Sequence, residues 1–429
     1  MLAHGLALGT LLYAFRPRAD RLTVQLLFLL LATGLLLRLW LRLQFTSVAI
    51  MLAFAGLLLL LRDGPGDRRG NPHLTSAVWA GLLFGLAWLI RGSAAWLALL
   101  LALPLLGWFV RALPARRWAA FALTVALLVG AGWTAQRANY AEPRWQNYLS
   151  YLRQSSGLLD SRVRALLGYR AMREAGGWSD NDARIFRAWF FPDEAVHSLD
   201  SMKRLVAFAA TSPVGRSRQE LVDRLDLGRL RYQAWFSLAA MVAVLLLLLA
   251  PIRVRWWTAG FILWTVGILL YMAVARKLVD RVIWPYAVGA TLILLHQLDH
   301  HMTDQRLAPR RWLPALLLGV VMVVGYGPQY TLPELEAASA LHHAKAENLR
   351  QQLQAVAAID PKAIILSQPT TLPFHDWPAG LQPEPATPLT FIGSGWAAQH
   401  PRNKELLARL GIASSVMAVL SRPHHYLLC

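Results

Sequence analysis

Residues 74–110 read LTSAVWAGLLFGLAWLIRGSAAWLALLLALPLLGWFV. Two apolar runs, 74–90 and 93–110, stand on either side of Arg91-Gly92. Each is close to the ~20 residues that carry a helix across ~30 Å of hydrocarbon. A water-soluble core has no need of such runs. The pattern continues in both directions, with further apolar runs at 1–15, 22–41, 44–61, 118–136, 232–251, 256–275, 282–297 and 312–327. The expected fold is an all-α polytopic membrane protein of about ten transmembrane helices, with a small extracytoplasmic α/β domain at its C-terminus.

Composition agrees. Of the 429 residues, 56% are hydrophobic and 16% charged, against roughly 25% charged in soluble domains. The net charge is +19, from 43 Lys and Arg against 24 Asp and Glu. In a soluble chain that excess would point to nucleic acid. Here much of it lies in short loops between apolar runs, where Arg sets orientation and meets anionic lipid. Membrane lipids are therefore the expected partner, and nucleic acid is not. The 18 Trp suit the membrane interface. The single cysteine, Cys429, rules out an intrachain disulfide and a cysteine metal site. No basic region precedes the first run and no small-residue cleavage site follows it, so no cleavable signal peptide is expected.

Loop charge sets the orientation. One set of short loops holds Arg16, Arg18, Arg21, Arg62, Arg68, Arg69, Arg111, Arg116, Arg117, Arg253, Arg255, Arg306, Arg310 and Arg311. The alternate set holds only Arg38, Arg42, Arg91, Arg276, Lys277 and Arg281. The first set is expected on the cytoplasmic side. The chain then divides into six spans over 1–136, an extracytoplasmic helical insert over 137–231, four spans over 232–327, and the extracytoplasmic α/β domain over 328–429. The first run is short and faces outward. Either an upstream span is missing from this chain, or the first helix is short, tilted or interfacial.

The insert carries aromatics among alternating charges. Ser179 or Asp180 is placed to cap a helix beginning near Asn181. In the tail, Leu349, Leu353 and Val356 stand at i, i+4, i+7 of a helix over 334–357. Strands are expected at 363–366 and 389–392, and a short helix over 402–410.

Phosphate-loop, dinucleotide and HExxH patterns do not occur in the sequence. Two constellations carry chemistry. Trp178-Ser179-Asp180-Asn181-Asp182, followed by Trp189 to Glu194, sets aromatics beside carboxylates. A sugar site uses rings for apolar sugar faces and carboxylates for hydroxyls or a proton. On composition alone, a capped surface helix whose aromatics pack against the membrane is the favoured account of this pattern. Arg276-Lys277-Leu278-Val279-Asp280-Arg281 sets three cations in a loop on the side where orientation does not call for them. A lipid phosphate suits them, as does internal pairing with Asp280. His300-His301, His342-His343 and His424-His425 have no carboxylates at ligand spacing and are read as ordinary histidines. His375-Asp376 has no visible partner.

The layout of many spans, a structured outer loop and a soluble outer tail resembles the multi-spanning GT-C-fold glycosyltransferases. More narrowly, Gln44-Phe45-Thr46, Gly177 to Asp182 with Trp189-Phe190, and Arg276 to Arg281 with Val282 and Pro285 resemble an uncharacterised bacterial branch of such proteins. The resemblance implies transfer of a sugar from a polyprenyl-phosphate donor to an extracytoplasmic acceptor, in the bacterial cytoplasmic membrane. It implies lipid-phosphate binding by Arg276, Lys277 and Arg281, and sugar or acceptor binding by Trp178, Trp189 and Asp193. In that family the catalytic carboxylate sits in the first outer loop. This chain begins where the second family span would, so no carboxylate transfers by matching. Asp180 and Asp182 are the substitutes, to take a proton or to hold a divalent cation such as Mg or Mn. An O-antigen polymerase or ligase is a rival, to which Arg204 and Gly215 give a chance-level spacing match. A non-catalytic membrane scaffold or transport component is another.

Overall fold

A computed structural model describes residues 2–14, 45–62, 74–109, 113–159, 167–187, 196–211, 234–275, 280–304, 332–367, 390–393, 400–412 and 423–428. Two compact units form. One comprises Met1–Arg137, Val222–Val274 and Leu278–Gln329, and the other is built chiefly from Ala138–Leu221 and Tyr330–Cys429.

The first unit is a helical bundle. Its described helices are α1 (Leu2–Ala14), α2 (Phe45–Arg62), α3 (Leu74–Phe109) and α4 (Ala115–Asn139), then α9 (Ala234–Leu249), α10 (Ile252–Ala275) and α11 (Asp280–Asp304). The helices α3, α4 and α10 are long and apolar enough to cross a membrane. The apolar stretches of α2, α9 and α11 are shorter. Helix α2 is apolar on every side and buried from Thr46 to Leu61, as a helix without a polar face must be.

Helix α3 is broken where the two apolar runs meet. Arg91 has φ −160° and ψ 95°. Contacts fix what the break does. Built Cβ atoms on Gly81 and Gly85 would meet Thr124 and Leu128 at 2.7 Å each, and one on Gly132 would meet Leu89. The first half of α3 therefore runs parallel to α4 with a constant offset, which places Arg117 level with Leu74. A straight helix would set Phe109 ~52 Å from Leu74. The eight residues from Phe109 to Arg117 reach at most ~28 Å. The second half must turn back, so the two expected runs form a hairpin. Two indole N–H groups tie α10 to this second half. Trp257 donates to Pro104 O at 3.2 Å and Trp264 to Leu100 O at 2.9 Å, as an antiparallel neighbour would.

Small residues let these helices approach. Ala77, Ala80, Gly81, Ala87, Ala94, Ala95, Ala98 and Ala102 are buried along α3, the pattern of tight apolar helix pairs. Outward positions stay greasy. Leu123, Leu127, Trp256, Leu263 and Tyr271 are each more than 60% exposed, which suits hydrocarbon and is costly in water.

Arginines close two helix ends. Buried Arg117 donates from Nη2 to Leu60 O at 3.0 Å. Arg255 donates to Ala250 O at 2.6 Å and Leu248 O at 3.1 Å. The last carbonyls of a helix have no partner within it, and a cation there also suits the helix dipole.

The second unit combines the insert and the tail. The insert contributes α5 (Pro143–Leu159), α6 (Arg170–Gly176), α7 (Asp180–Arg187) and α8 (Leu199–Thr211) around a core of Tyr151, Leu158, Met172, Trp178, Phe186, Met202 and Leu205. The tail contributes α12 (Leu332–Ile359), β1 (Ile364–Ser367), β2 (Thr390–Gly393), α13 (Pro401–Arg409) and β3 (His425–Leu428). The three strands are parallel, in the order β2-β1-β3, with Ile364 in register with Thr390 and His425. Strand β1 shows the two-residue period of a strand covered on both faces. Ala363 and Ile365 meet Leu353 and Val356 of α12, whereas Ile364 and Leu366 meet Leu406 and Leu407 of α13. The third strand was not expected.

Candidate functional site

The segment Gly176 to Asp182 is a corner between two helices. Helix α6 ends because Gly177 adopts φ 73°, a left-handed conformation that glycine takes without a Cβ penalty. Its N–H donates to Glu174 O at 3.0 Å, and the Trp178 N–H donates to Arg173 O at 2.9 Å. That pair of bonds is the Schellman closure. Arg204 adds a bond to Gly176 O at 3.2 Å. A Cβ on Gly176 would meet Leu205 at 2.7 Å.

Helix α7 then begins with a reciprocal cap. Asp182 N–H donates to Ser179 Oγ at 3.2 Å, while Ser179 N–H and Oγ–H donate to Asp182 Oδ2 at 2.8 and 2.6 Å. This is a capping box with Asp in the Glu position. Asp180 lies 3.5 Å from Arg173 and 3.6 Å from Arg184. Both carboxylates expected to do acid–base work thus have structural partners.

Trp178 was expected on a sugar-binding surface, and the structure corrects this. The indole is 5% exposed. It packs against Phe186 and His197, with ring centroids at 4.7 and 4.9 Å, and donates to Val196 O at 2.9 Å. It is the central plug of the insert core, leaving no face for a sugar. His197, 2% exposed, stacks on Phe186 and approaches Asp182 O at 3.2 Å. Nothing local in the sequence marks it.

Trp189, Asp193, Arg276 and Lys277 lie outside the described residues, as do His375, Asp376 and Gly215. Arg281 stands in the first turn of α11. Among the described residues no group of three His, Cys, Asp or Glu is close enough to hold a metal ion.

Two polar clusters were missed. Arg144 of α5 pairs with Glu142 and with Glu405 of α13. Beside it His400 meets Trp145 and Tyr148 edge-on, at 5.1 and 5.0 Å, and Tyr140 meets Trp145 at 5.1 Å. His400 also caps α13, accepting from the Arg402 N–H at 3.3 Å. These contacts bind the tail helix to the insert helix across more than 250 residues of sequence, a distance at which no local signal operates.

The second cluster centres on Asp360, between α12 and β1. Its Oδ2 meets His424 Nδ1 at 2.9 Å and accepts from Tyr426 OH at 3.1 Å, and its Oδ1 accepts from the Lys362 N–H at 3.2 Å. Burial pushes the Asp360 carboxyl up, but the bonds from His424, Tyr426 and Lys362 outweigh it and hold the group below its ordinary value. His424 takes φ 67°, uncommon for a residue with a Cβ. The cluster fastens β3 beside β1 at the N-terminal edge of the sheet. Parallel sheets place ligands at the opposite edge.

The chain matches no known protein-family model, no curated protein and no solved structure.

Proposed function

We propose that this chain is a multi-spanning membrane glycosyltransferase-like protein that moves a sugar from a polyprenyl-phosphate donor to an extracytoplasmic acceptor of the cell envelope. The observation that supports the membrane topology of this reading is how charge is divided between the ends of the first unit; the sugar-transfer part rests on the resemblance of layout and motifs. Leu60 with Arg117, Trp108 with Arg253, and Phe109 with His296 meet at one end. Thr46 and Arg91 meet at the other. The orientation rule assigns these same ends to the cytoplasmic and outer sides. Ten spans, with the insert and the α/β tail outside, extend this division to the whole chain.

In this reading Arg276, Lys277 and Arg281 neutralise the leaving lipid phosphate, while Trp189 and Asp193 contact the sugar or acceptor. Asp180 and Asp182 remain the nominated carboxylates, or ligands for a divalent cation, but they would have to leave the partners described above. That engagement favours a second reading, a non-catalytic scaffold of the same topology.

Two measurements decide. Cys429 is the sole cysteine, so a membrane-impermeant maleimide should label it in intact spheroplasts; protection from the reagent would overturn the orientation. Replacing Arg276, Lys277 and Arg281 together by Ala should abolish sugar transfer from a lipid-linked donor in membrane vesicles at unchanged protein level. Unchanged transfer would sink the role of these three cations, and transfer no greater than in vesicles lacking the protein would sink the enzyme reading and leave the scaffold.

A further inference from the structure

We infer that His424, held by Asp360, is a general base carried by the tail, whose Nε2 takes the proton of a sugar or alcohol hydroxyl. The inference rests on the transferase reading, in which that hydroxyl belongs to the acceptor. It names a base that the engaged Asp180 and Asp182 do not supply.

No acidic residue stands near His424 in the sequence. The fold brings one from 64 residues away, and Asp360 Oδ2 meets Nδ1 at 2.9 Å. The Asp360 side chain is 10% exposed. Burial opposes its ionisation, but the bonds from His424, Tyr426 and Lys362 hold the carboxyl below its ordinary value. At neutral pH it is ionised and can only accept. Tyr426 donates to the same Oδ2, and that bond pushes the phenol up and keeps it protonated. The proton between Asp360 and His424 therefore belongs to Nδ1, which leaves Nε2 of the neutral imidazole as a bare lone pair. The His424 side chain is 55% exposed. Its Nε2 is neither buried nor bonded among the described residues.

The ring is also aimed by its backbone. His424 O accepts from the Ile364 N–H at 2.7 Å, and φ is 67°. Residues with a Cβ that are held left-handed gather where function demands a fixed side chain. A fastening for β3 needs one donor at the Nδ1 position; it calls for neither an imidazole nor an open Nε2. A carboxylate-bound imidazole with its far nitrogen free is the arrangement of a general base, because the carboxylate fixes the tautomer and stabilises the imidazolium that forms. Ligands of parallel sheets gather at the other edge, but a proton acceptor needs only one bare nitrogen that its substrate can reach. In the transfer, the hydroxyl proton passes to Nε2 as the acceptor oxygen bonds to the anomeric carbon. The bond from that carbon to the lipid phosphate breaks, and its electron pair leaves with the phosphate. The imidazolium then gives its proton to water.

The test uses the full chain. Histidine nitrogen NMR in detergent should show the Nδ1–H tautomer at His424. Asp360→Asn should replace it with the Nε2–H tautomer, because the Lys362 N–H keeps the amide oxygen on its own side and turns the amide nitrogen toward His424. His424→Asn separates fastening from catalysis. Its amide can donate to Asp360 from near the Nδ1 position, and Asn tolerates a left-handed backbone. The tail of this variant should keep its protease resistance, while sugar transfer from a lipid-linked donor in membrane vesicles falls about a hundredfold or more. Asp360→Asn, with the wrong tautomer, should lower transfer as well. An Nε2–H tautomer in the unaltered chain, or full transfer by His424→Asn, overturns the inference. Should His424→Asn lose its tail fold, the tautomer and the transfer by Asp360→Asn decide, and unchanged transfer there overturns the inference too. The two readings fail separately. Transfer that persists in His424→Asn defeats only this inference. Transfer by the unaltered chain no greater than in vesicles lacking it defeats the enzyme reading, and the role of His424 with it.

Discussion

Gly81 and Gly85 of the bundle and Gly176 and Gly177 of the insert are glycine pairs at helix contacts, and they act in opposite ways. Gly81 and Gly85 lie inside a helix that continues, and their missing Cβ atoms admit Thr124 and Leu128. Gly176 admits Leu205, but Gly177 turns left-handed and ends its helix. The bundle is therefore held by apolar helices brought close along their length. The insert is held by short helices whose ends are closed with polar bonds around an aromatic plug. Close approach suits a medium in which apolar burial adds little driving force. End-capping and core burial suit water.

Four substitutions or conditions test that contrast. The largest effect belongs to the insert plug. Trp178→Ala should destabilise the insert by about 3–5 kcal/mol, seen as lost hydrogen-exchange protection in α6 to α8 while the bundle helices keep theirs. Joint loss in both units would mean that they do not unfold separately. Next comes close approach in the bundle. Gly289→Ala forces a methyl group against the Phe54 ring, itself 1% exposed, and overpacking of this kind costs about 1–3 kcal/mol. The melting temperature in detergent should fall. An unchanged melt would show that Phe54 can move aside, and that the contact is looser than its geometry. Smaller again is the cap. Ser179→Ala should cost about 1 kcal/mol and increase exchange only at the start of α7, with Ser179→Asp restoring most of the protection.

The least disruptive probe is acid. Asp360 is held below its ordinary carboxyl value, so its contribution to the tail is present above the unfolded carboxyl range, roughly pH 4, and is lost as pH falls through the folded value. Protease sensitivity of the tail should rise in that acid window, and Asp360→Asn should remove the dependence. A tail equally resistant at every pH would assign its hold on β3 to the sheet alone.

Much of the fold was legible because its causes are local. The break at Arg91-Gly92, the cap at Ser179 and the strands at Ile364–Ser367 and Thr390–Gly393 fall within a residue or two of where periodicity and capping chemistry place them. The site was less legible. Trp178 beside two carboxylates has the composition of a sugar platform, yet burial decides what an indole does, and burial depends on Phe186, His197 and Ser201 arriving from elsewhere in the chain. The same local text that resembles a binding motif reads, once folded, as a helix corner.

The sequence by itself determined the apolar helices, their breaks and the sign of the charge between them, because hydrophobic run length and end-capping act over a few residues. Only the tertiary structure decided that α3 doubles back, that the insert and the tail form one unit through Arg144, Glu405 and His400, and that Thr46 and Arg91 meet. Those outcomes depend on helix register and on contacts between distant residues. A single missing Cβ at Gly81, Gly85 or Gly289 sets each register, and the spacing of residues along the chain carries no record of which neighbour will fill that space.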